Sequence, residues 1–279
     1  ENESATTAAK RLKELAAKKN SFDFELIDVI YAFSVEKLTE EFFKKYKEQF
    51  QIFNNHLIED ENIRYNIFGI DRNETEEEKT INELPIRDFT KKLLGRLVFL
   101  YFLQRKGWMG VPTEQNLSTQ SEDTESDDYT KTVKRIFSPA NGYKDFIFRL
   151  FKDSKQPDNF HSKYLKELFY NTLNSKERPN FEFLIDSRSP FKDGSVRSVP
   201  YLNGGLFDND FPPGNDIDFP AQMFEYLFEF LEQYNFTIDE NDPNDAEVGI
   251  DPEMLGHIFE NLLEDNKEKG AFYTPKEIV

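Results

Sequence analysis

In the stretch FSVEKLTEEFFKKYKEQFQIFNNHL, apolar residues return at steps of three and four. Val35, Leu38, Phe42, Tyr46, Phe50 and Phe53 share one face, with Lys and Glu between them. That period predicts an amphipathic helix whose rings pack into a core, and Ser34 stands where it can cap the first turn. A second stretch, IRDFTKKLLGRLVFLYFLQRKGW, is apolar almost all the way round, which predicts a central buried helix. Asp88 or Thr90 marks its start and Gly107 its stop. Arg96, Arg105 and Lys106 are expected at its edges. Basic residues in a last turn answer the helix dipole, and contact with DNA is the second reading of them.

The remaining periodic segments are shorter. TVKRIFS, YKDFIFRLFKD and SKYLKELFYNTLN read as short helices, and FPAQMFEYLFEFLEQY as a helix with Pro220 near its first turn. DPEMLGHIFENLLEDN reads as a helix with Asp251 as cap and Pro252 at the first position. FEFLIDS, VRSVPYLNGGLF and NFTI are brief or broken by Pro and Gly, and read as strand or irregular pieces. DRNETEEEKTINELP is polar and acidic and reads as a surface loop. GVPTEQNLSTQSEDTESDDYT is a low-complexity polar insert. ATTAAKRLKELAAKKN reads as a short amphipathic helix with a basic face. The fold class expected is mainly α, a multi-helix domain with a few short strands or hairpins.

Composition narrows this picture. The chain has 279 residues, enough for one large domain or two smaller ones, and its 29 Phe and 12 Tyr offer large rings for packing. The absence of cysteine excludes disulfides and thiolate metal sites and fits a reducing cytoplasm. The most apolar run, LLGRLVFLYFL, contains Arg96 and is too short to span a bilayer, and no membrane association is expected. A net charge of −18 disfavours non-specific binding to DNA or anionic membranes. Any nucleic-acid contact must therefore come from a local basic patch or from another part of a larger protein.

Little in the chain looks catalytic. It has no GxGxxG and no Walker loop. His56, His161 and His257 share no metal-ligand spacing, and no serine sits in a nucleophile elbow. Neither a catalytic residue nor a metal ligand is assigned. The acid-then-Glu-x-Lys pattern around Glu77 to Lys79 lacks the apolar flanking strands of a nuclease core. In YLNGGLF, Asn203-Gly204-Gly205 permits positive φ between apolar neighbours. This is either a tight turn or a place where two parts of the chain, or a ligand, approach closely.

The terminal stretch KEKGAFYTPKEIV combines a flexible Gly270, the rings of Phe272 and Tyr273, and a helix start. Thr274 is the cap, Pro275 the first helical residue, and Glu277 the reciprocal partner of the cap. Such a loop either grips a ligand carrying a carboxylate and an apolar thioether stem or links two helices. The helix start has no body, and the first residue is Glu rather than Met. An excised piece of a longer protein is the expectation.

GAFYTPKEIV resembles the segment known as motif X in adenine-N6 DNA methyltransferases of the gamma type. LGHIFENLL resembles the helix that precedes it there. FSVEKLTEEFFKKY, RLVFLYFLQRKGW and YLNGGLF are similar to upstream segments of type IIG restriction-modification proteins and related phage-defence methyltransferases. The resemblance implies three parts. Residues 1–20 would be a connector helix from a missing N-terminal nuclease domain, 21–265 a helical connector domain, and 266–279 the truncated start of a methyltransferase. It implies that Gly270, Phe272, Tyr273, Thr274 and Pro275 line the S-adenosylmethionine pocket of the intact parent. Double-stranded DNA would be bound through that parent, in the bacterial cytoplasm, and no cofactor is expected on this piece alone. The catalytic Asn/Asp-Pro-Pro-Tyr/Phe motif is absent: DFPPGND sets Phe211 before its prolines and Gly214 after them. Two other readings remain beside this one, a methylation-only phage-defence enzyme and a non-enzymatic helical interaction scaffold.

Overall fold

A computed structural model describes residues 35–113, 137, 141–202, 205–211, 215–236 and 249–250. Its helices are α1 (Val35–Glu59), α2 (Glu76–Asn82), α3 (Leu84–Arg105), α4 (Phe146–Asp153) and α5 (Ala221–Leu231). The chain is also wound as π-helix over Asn62–Ile67, Phe160–Leu165 and Glu167–Leu173. Among the described residues there are also five two-residue strands: β1 (Val111–Pro112), β2 (Glu182–Phe183), β3 (Arg197–Ser198), β4 (Asn235–Phe236) and β5 (Gly249–Ile250). The class is mainly α with a few short strands, as the hydrophobic pattern predicts.

The chain divides into two compact units. In the first, the described residues are 35–52, 226–236 and 249–250. Phe42 is its centre, fully buried, with Tyr46 stacked at 5.8 Å and Phe230, Tyr234 and Phe236 at 5.2, 5.0 and 6.1 Å. These centroid distances are those of favourable edge and tilted ring pairs. β4 and β5 pair in parallel, Asn235 with Gly249 and Phe236 with Ile250. Burial pushes the Tyr46 hydroxyl far above its ordinary pKa.

The second unit, Phe53–Glu225, is built around α3. Fifteen of the 22 residues of α3 are buried, so it lies inside rather than on a surface. It starts at Leu84, four residues before Asp88. Thr90 does not cap it; the Thr90 hydroxyl donates to the Ile86 carbonyl one turn back at 3.0 Å. Gly107 ends it as expected, at φ +71° with its N–H on the Gln104 carbonyl. Buried Gln104 then caps the next helix, its Oε1 accepting from Ile147 N at 3.0 Å. β3 lies between β1 and β2 in a small antiparallel sheet, Val111 and Glu182 both opposite Ser198.

Two further readings change. The acidic stretch expected as a loop contains α2, opened by a full capping box between Thr75 and Glu78. It closes over Arg64, which is buried and bonded to Glu74 and, at 2.8 Å, to Glu83. The charged residues there satisfy one another, which composition alone does not reveal. SKYLKELFYNTLN is helical as expected, but its winding is π, and the Thr172 hydroxyl donates to the Glu167 carbonyl five residues back. Ser34, Leu38's side chain and the DPEMLGHIFENLLEDN segment lie outside the described residues, as do the expected domains 1–20 and 266–279.

Candidate functional site

Arg96 is not at an edge. Its side chain is 1% exposed, among the most buried of the large side chains described. From the middle of α3 its Nε donates to the Leu206 carbonyl and one Nη to the Asp208 carbonyl at 2.8 Å. The other Nη donates to the Asp210 carboxylate and, at 3.3 Å, to the Tyr170 hydroxyl. The Tyr170 hydroxyl itself donates to Asp210 at 2.9 Å, and Lys92 pairs with the same carboxylate at 3.2 Å. Burial, aided by Asp210 and opposed by Arg96, pushes the Tyr170 hydroxyl up to about 12.

Thus two parts of the chain do approach closely at YLNGGLF. Gly205–Phe207 form a 3-10 turn held by the arginine of a distant helix; Asn203 and Gly204 lie outside the described residues. In DFPPGND, Asp210 is consumed by Arg96, and Phe211 packs against Phe89 at 5.1 Å and Phe68 at 5.3 Å. Asp210 is thus held by an ion pair and Phe211 by ring packing.

Two of the three histidines meet a single segment. His161 Nδ1 donates to the Ile217 carbonyl at 2.6 Å, and His56 Nε2 lies 3.4 Å from the Asp218 carbonyl. Both rings flank Phe219. Neither coordinates with acids: among the described residues no group of three His, Asp or Glu side chains could hold a metal ion. Burial lowers the His161 pKa to about 4, so the ring is neutral near pH 7. Its Nε2 has no hydrogen-bond partner among the described residues.

A third cluster lies where α3 ends. Gly142 N donates to the Gly107 carbonyl at 2.7 Å and Tyr143 N to the Met109 carbonyl at 2.8 Å, closing two segments on each other. The Arg149 and Arg197 guanidinium carbons lie 4.2 and 4.3 Å from the Tyr143 ring centroid. The Tyr143 hydroxyl donates to Asp193 at 3.2 Å. Ser195, through its hydroxyl and N–H, holds the Asp193 carboxyl below its ordinary pKa. Lys106 and Trp108 stand exposed beside this cluster, with Arg105 half-buried. Reading residue by residue marks Arg105 and Lys106 but misses Tyr143, Arg149 and Arg197, which are joined only by folding. The lone tryptophan next to two basic residues is the one signal that points there.

Gly270, Phe272, Tyr273, Thr274 and Pro275 lie outside the described residues, as does His257. Among the described residues no helix is long and apolar enough to cross a membrane.

No protein-family model matches the chain, and no solved structure matches it. It is similar to a protein of Methanocaldococcus jannaschii named a "putative type II restriction enzyme and methyltransferase". The two are 32% identical over 209 residues, covering 71% of this chain. The chain spans 14% of that relative's length.

Proposed function

We propose that these residues are part of a restriction-modification protein of type IIG organisation, in which they form the helical connector leading into an adenine-N6 DNA methyltransferase. The similarity to the Methanocaldococcus jannaschii protein, extending over 71% of the chain, carries this reading. The GAFYTPKEIV stretch narrows it from restriction-modification in general to the gamma class of methyltransferase. The whole protein binds double-stranded DNA, flips an adenine from the duplex and transfers the methyl group of S-adenosylmethionine to its N6. In the cell this serves DNA modification and defence against phage, in the cytoplasm.

Gly270, Phe272, Tyr273, Thr274 and Pro275 take the methionine side of the cofactor. When the cofactor is bound, Phe272 and Tyr273 would supply apolar contact for the thioether stem, and backbone N–H groups of the helix start that Thr274 and Pro275 open would suit its carboxylate. The connector's own contribution is rigidity. Within the second unit, a buried arginine that fastens a distant loop and a helix with fifteen of its 22 residues buried support that reading.

The test is methyl transfer by the full-length protein. Duplex DNA incubated with methyl-labelled S-adenosylmethionine should yield N6-methyladenine on mass spectrometry of the digested nucleosides. Tyr273→Ala and Thr274→Ala should each raise KM for the cofactor while leaving DNA affinity unchanged. Methylcytosine as the product, or no transfer at all, would sink the reading.

A further inference from the structure

We propose that the surface formed by the end of α3, the Gly142–Tyr143 bridge and the β3 hairpin is a contact surface for the sugar-phosphate backbone of duplex DNA, with Trp108, Arg105 and Lys106 at its centre. The choice of DNA rather than another polyanion rests on the function proposed above. The surface itself rests on charge, exposure and rigidity.

The charge of this region runs against that of the chain. Overall, 35 Lys and Arg face 53 Asp and Glu. In the segments 104–113, 141–155 and 185–198 the balance reverses, with nine Lys and Arg against four Asp, and with Glu225, paired to Lys152, the carboxylates come to five. These segments are one surface in space. Gly142 and Tyr143 bond to the carbonyls of Gly107 and Met109, Val111 and Pro112 pair with β3, and the Thr113 hydroxyl donates to the Val196 carbonyl at 3.0 Å. Tyr143 then joins Arg149 to Arg197 through its ring. A local positive field is what a strongly acidic protein needs in order to meet phosphates at all.

The same surface exposes large apolar groups. Trp108 is 39% exposed and Val196 36%. A tryptophan left in water beside Arg105 and Lys106 offers a flat face for deoxyribose and an indole N–H for a phosphate oxygen. The platform under it is rigid. Gly107 and Gly110 hold φ at +71° and +72°. Gly142 sits so close that a Cβ there would come within 2.2 Å of the Met109 carbonyl and 2.6 Å of the Gly107 carbonyl. The indole is therefore presented in one place, and little ordering is needed when it binds. Arg149 is held by Asp145 and Arg197 by Ser195, so their guanidinium planes are set in advance.

Trp108 is the sole tryptophan of the chain, so its fluorescence reports this surface directly. Titrating the full chain with a duplex oligonucleotide at about 50 mM salt should shift or quench that emission, and the change should disappear as salt is raised. The Arg105→Gln/Lys106→Gln double variant should weaken binding about tenfold or more. It should also reduce the slope of log affinity against log salt by about 2, one unit for each phosphate left unneutralised. Lys47→Gln, which removes one charge from an exposed site on α1, should leave both unchanged. Trp108→Phe keeps a flat ring and should lose less affinity than Trp108→Ala. Thermal melts of the same variants check that they fold. Unaltered fluorescence on saturation with DNA, or an equal loss in Lys47→Gln, would overturn the surface. Methyl transfer by the full-length variants separates the two proposals. A protein that methylates adenine but binds DNA through residues elsewhere keeps its function and loses this surface. One that never methylates yet loses DNA affinity with Arg105 and Lys106 keeps the surface and loses the function.

Discussion

Without its guanidinium, Arg96 would leave the Asp210 carboxylate 7% exposed and answered only by Lys92 and the Tyr170 hydroxyl. A buried charge that loses its partner costs about 3–5 kcal/mol. Arg96→Met should therefore destabilise the fold by about that amount in urea titrations. Arg96→Lys should recover only part, because an ammonium cannot reach the Leu206 and Asp208 carbonyls and the carboxylate together. His161 gives a pH signature of its own. Its folded pKa, lowered to about 4 by burial, lies below the ordinary 6.5. The unfolded chain thus binds the extra proton first. Stability is full above pH 6.5 and falls as pH drops from 6.5 towards 4. Asp218 favours the charged ring, while Lys166 and Arg96 oppose it. His161→Gln, which keeps a neutral donor for the Ile217 carbonyl, should flatten this part of the stability profile measured by urea unfolding at stepped pH.

Two helix starts in the second unit depend on residues from elsewhere in the chain. Asp158 accepts from Ala221 N at 2.9 Å, capping α5. Asp218, just ahead of α5, accepts from Ser162 N at 3.0 Å near the start of the π-helix that follows Asp158. The two segments cap each other. Asp158→Ala should cost about 1 kcal/mol in chemical denaturation. Its combination with Asp218→Ala should depart from additivity, because the first loss loosens the segment that carries the second cap. The glycines separate two kinds of constraint. Gly142→Ala meets backbone on both sides and should cost about 3 kcal/mol or more. Gly69→Ala has open space around it and only a φ of +70° to oppose it, so about 1 kcal/mol is expected. The hydrophobic period made α1, α4 and α5 legible, and a run apolar almost all the way round did the same for α3. The α2 helix was not legible by period: it has no apolar stripe and rests on the Thr75 capping box and on Arg64, whose partners Glu74 and Glu83 lie ten and nineteen residues away. The π-winding of 160–173 was also invisible, since its pattern of Phe160, Tyr164, Leu168 and Thr172 fits an α-helix equally well.

At the scale of the molecule, the terminal GAFYTP stretch and the basic surface make separate demands. A few contacts from one side of a cofactor do not offset its lost freedom. The chain alone should therefore give no heat on calorimetric titration with S-adenosylmethionine, and micromolar binding would mean that the pocket is complete within these residues. Of the candidate sites, the cofactor loop could be named only by resemblance, because its physics equally fits a linker between helices. The basic surface was half legible. Arg105, Lys106 and Trp108 are neighbours in sequence, but the Tyr143 stack joins residues about fifty positions apart and exists only in the fold. The burial of Arg96 is hidden in the sequence for a related reason. A lone arginine in an apolar run reads as a boundary unless its partners, 74 to 114 residues on, are already known.

The segment from Phe160 to Leu173 bonds five residues back rather than four over most of its length. Such winding fits more residues into the same rise than an α-helix does, so the run carries slack. Losing one codon from α3 would turn every later side chain of that helix by about 100° and bury the wrong face. Losing one between Ser162 and Tyr170 could instead be absorbed by tightening to α-helix, with Phe160 and Leu173 kept near their places. Deletions should therefore be survivable in this stretch and lethal to folding in α3, and a one-residue deletion scan read by soluble expression would map that difference.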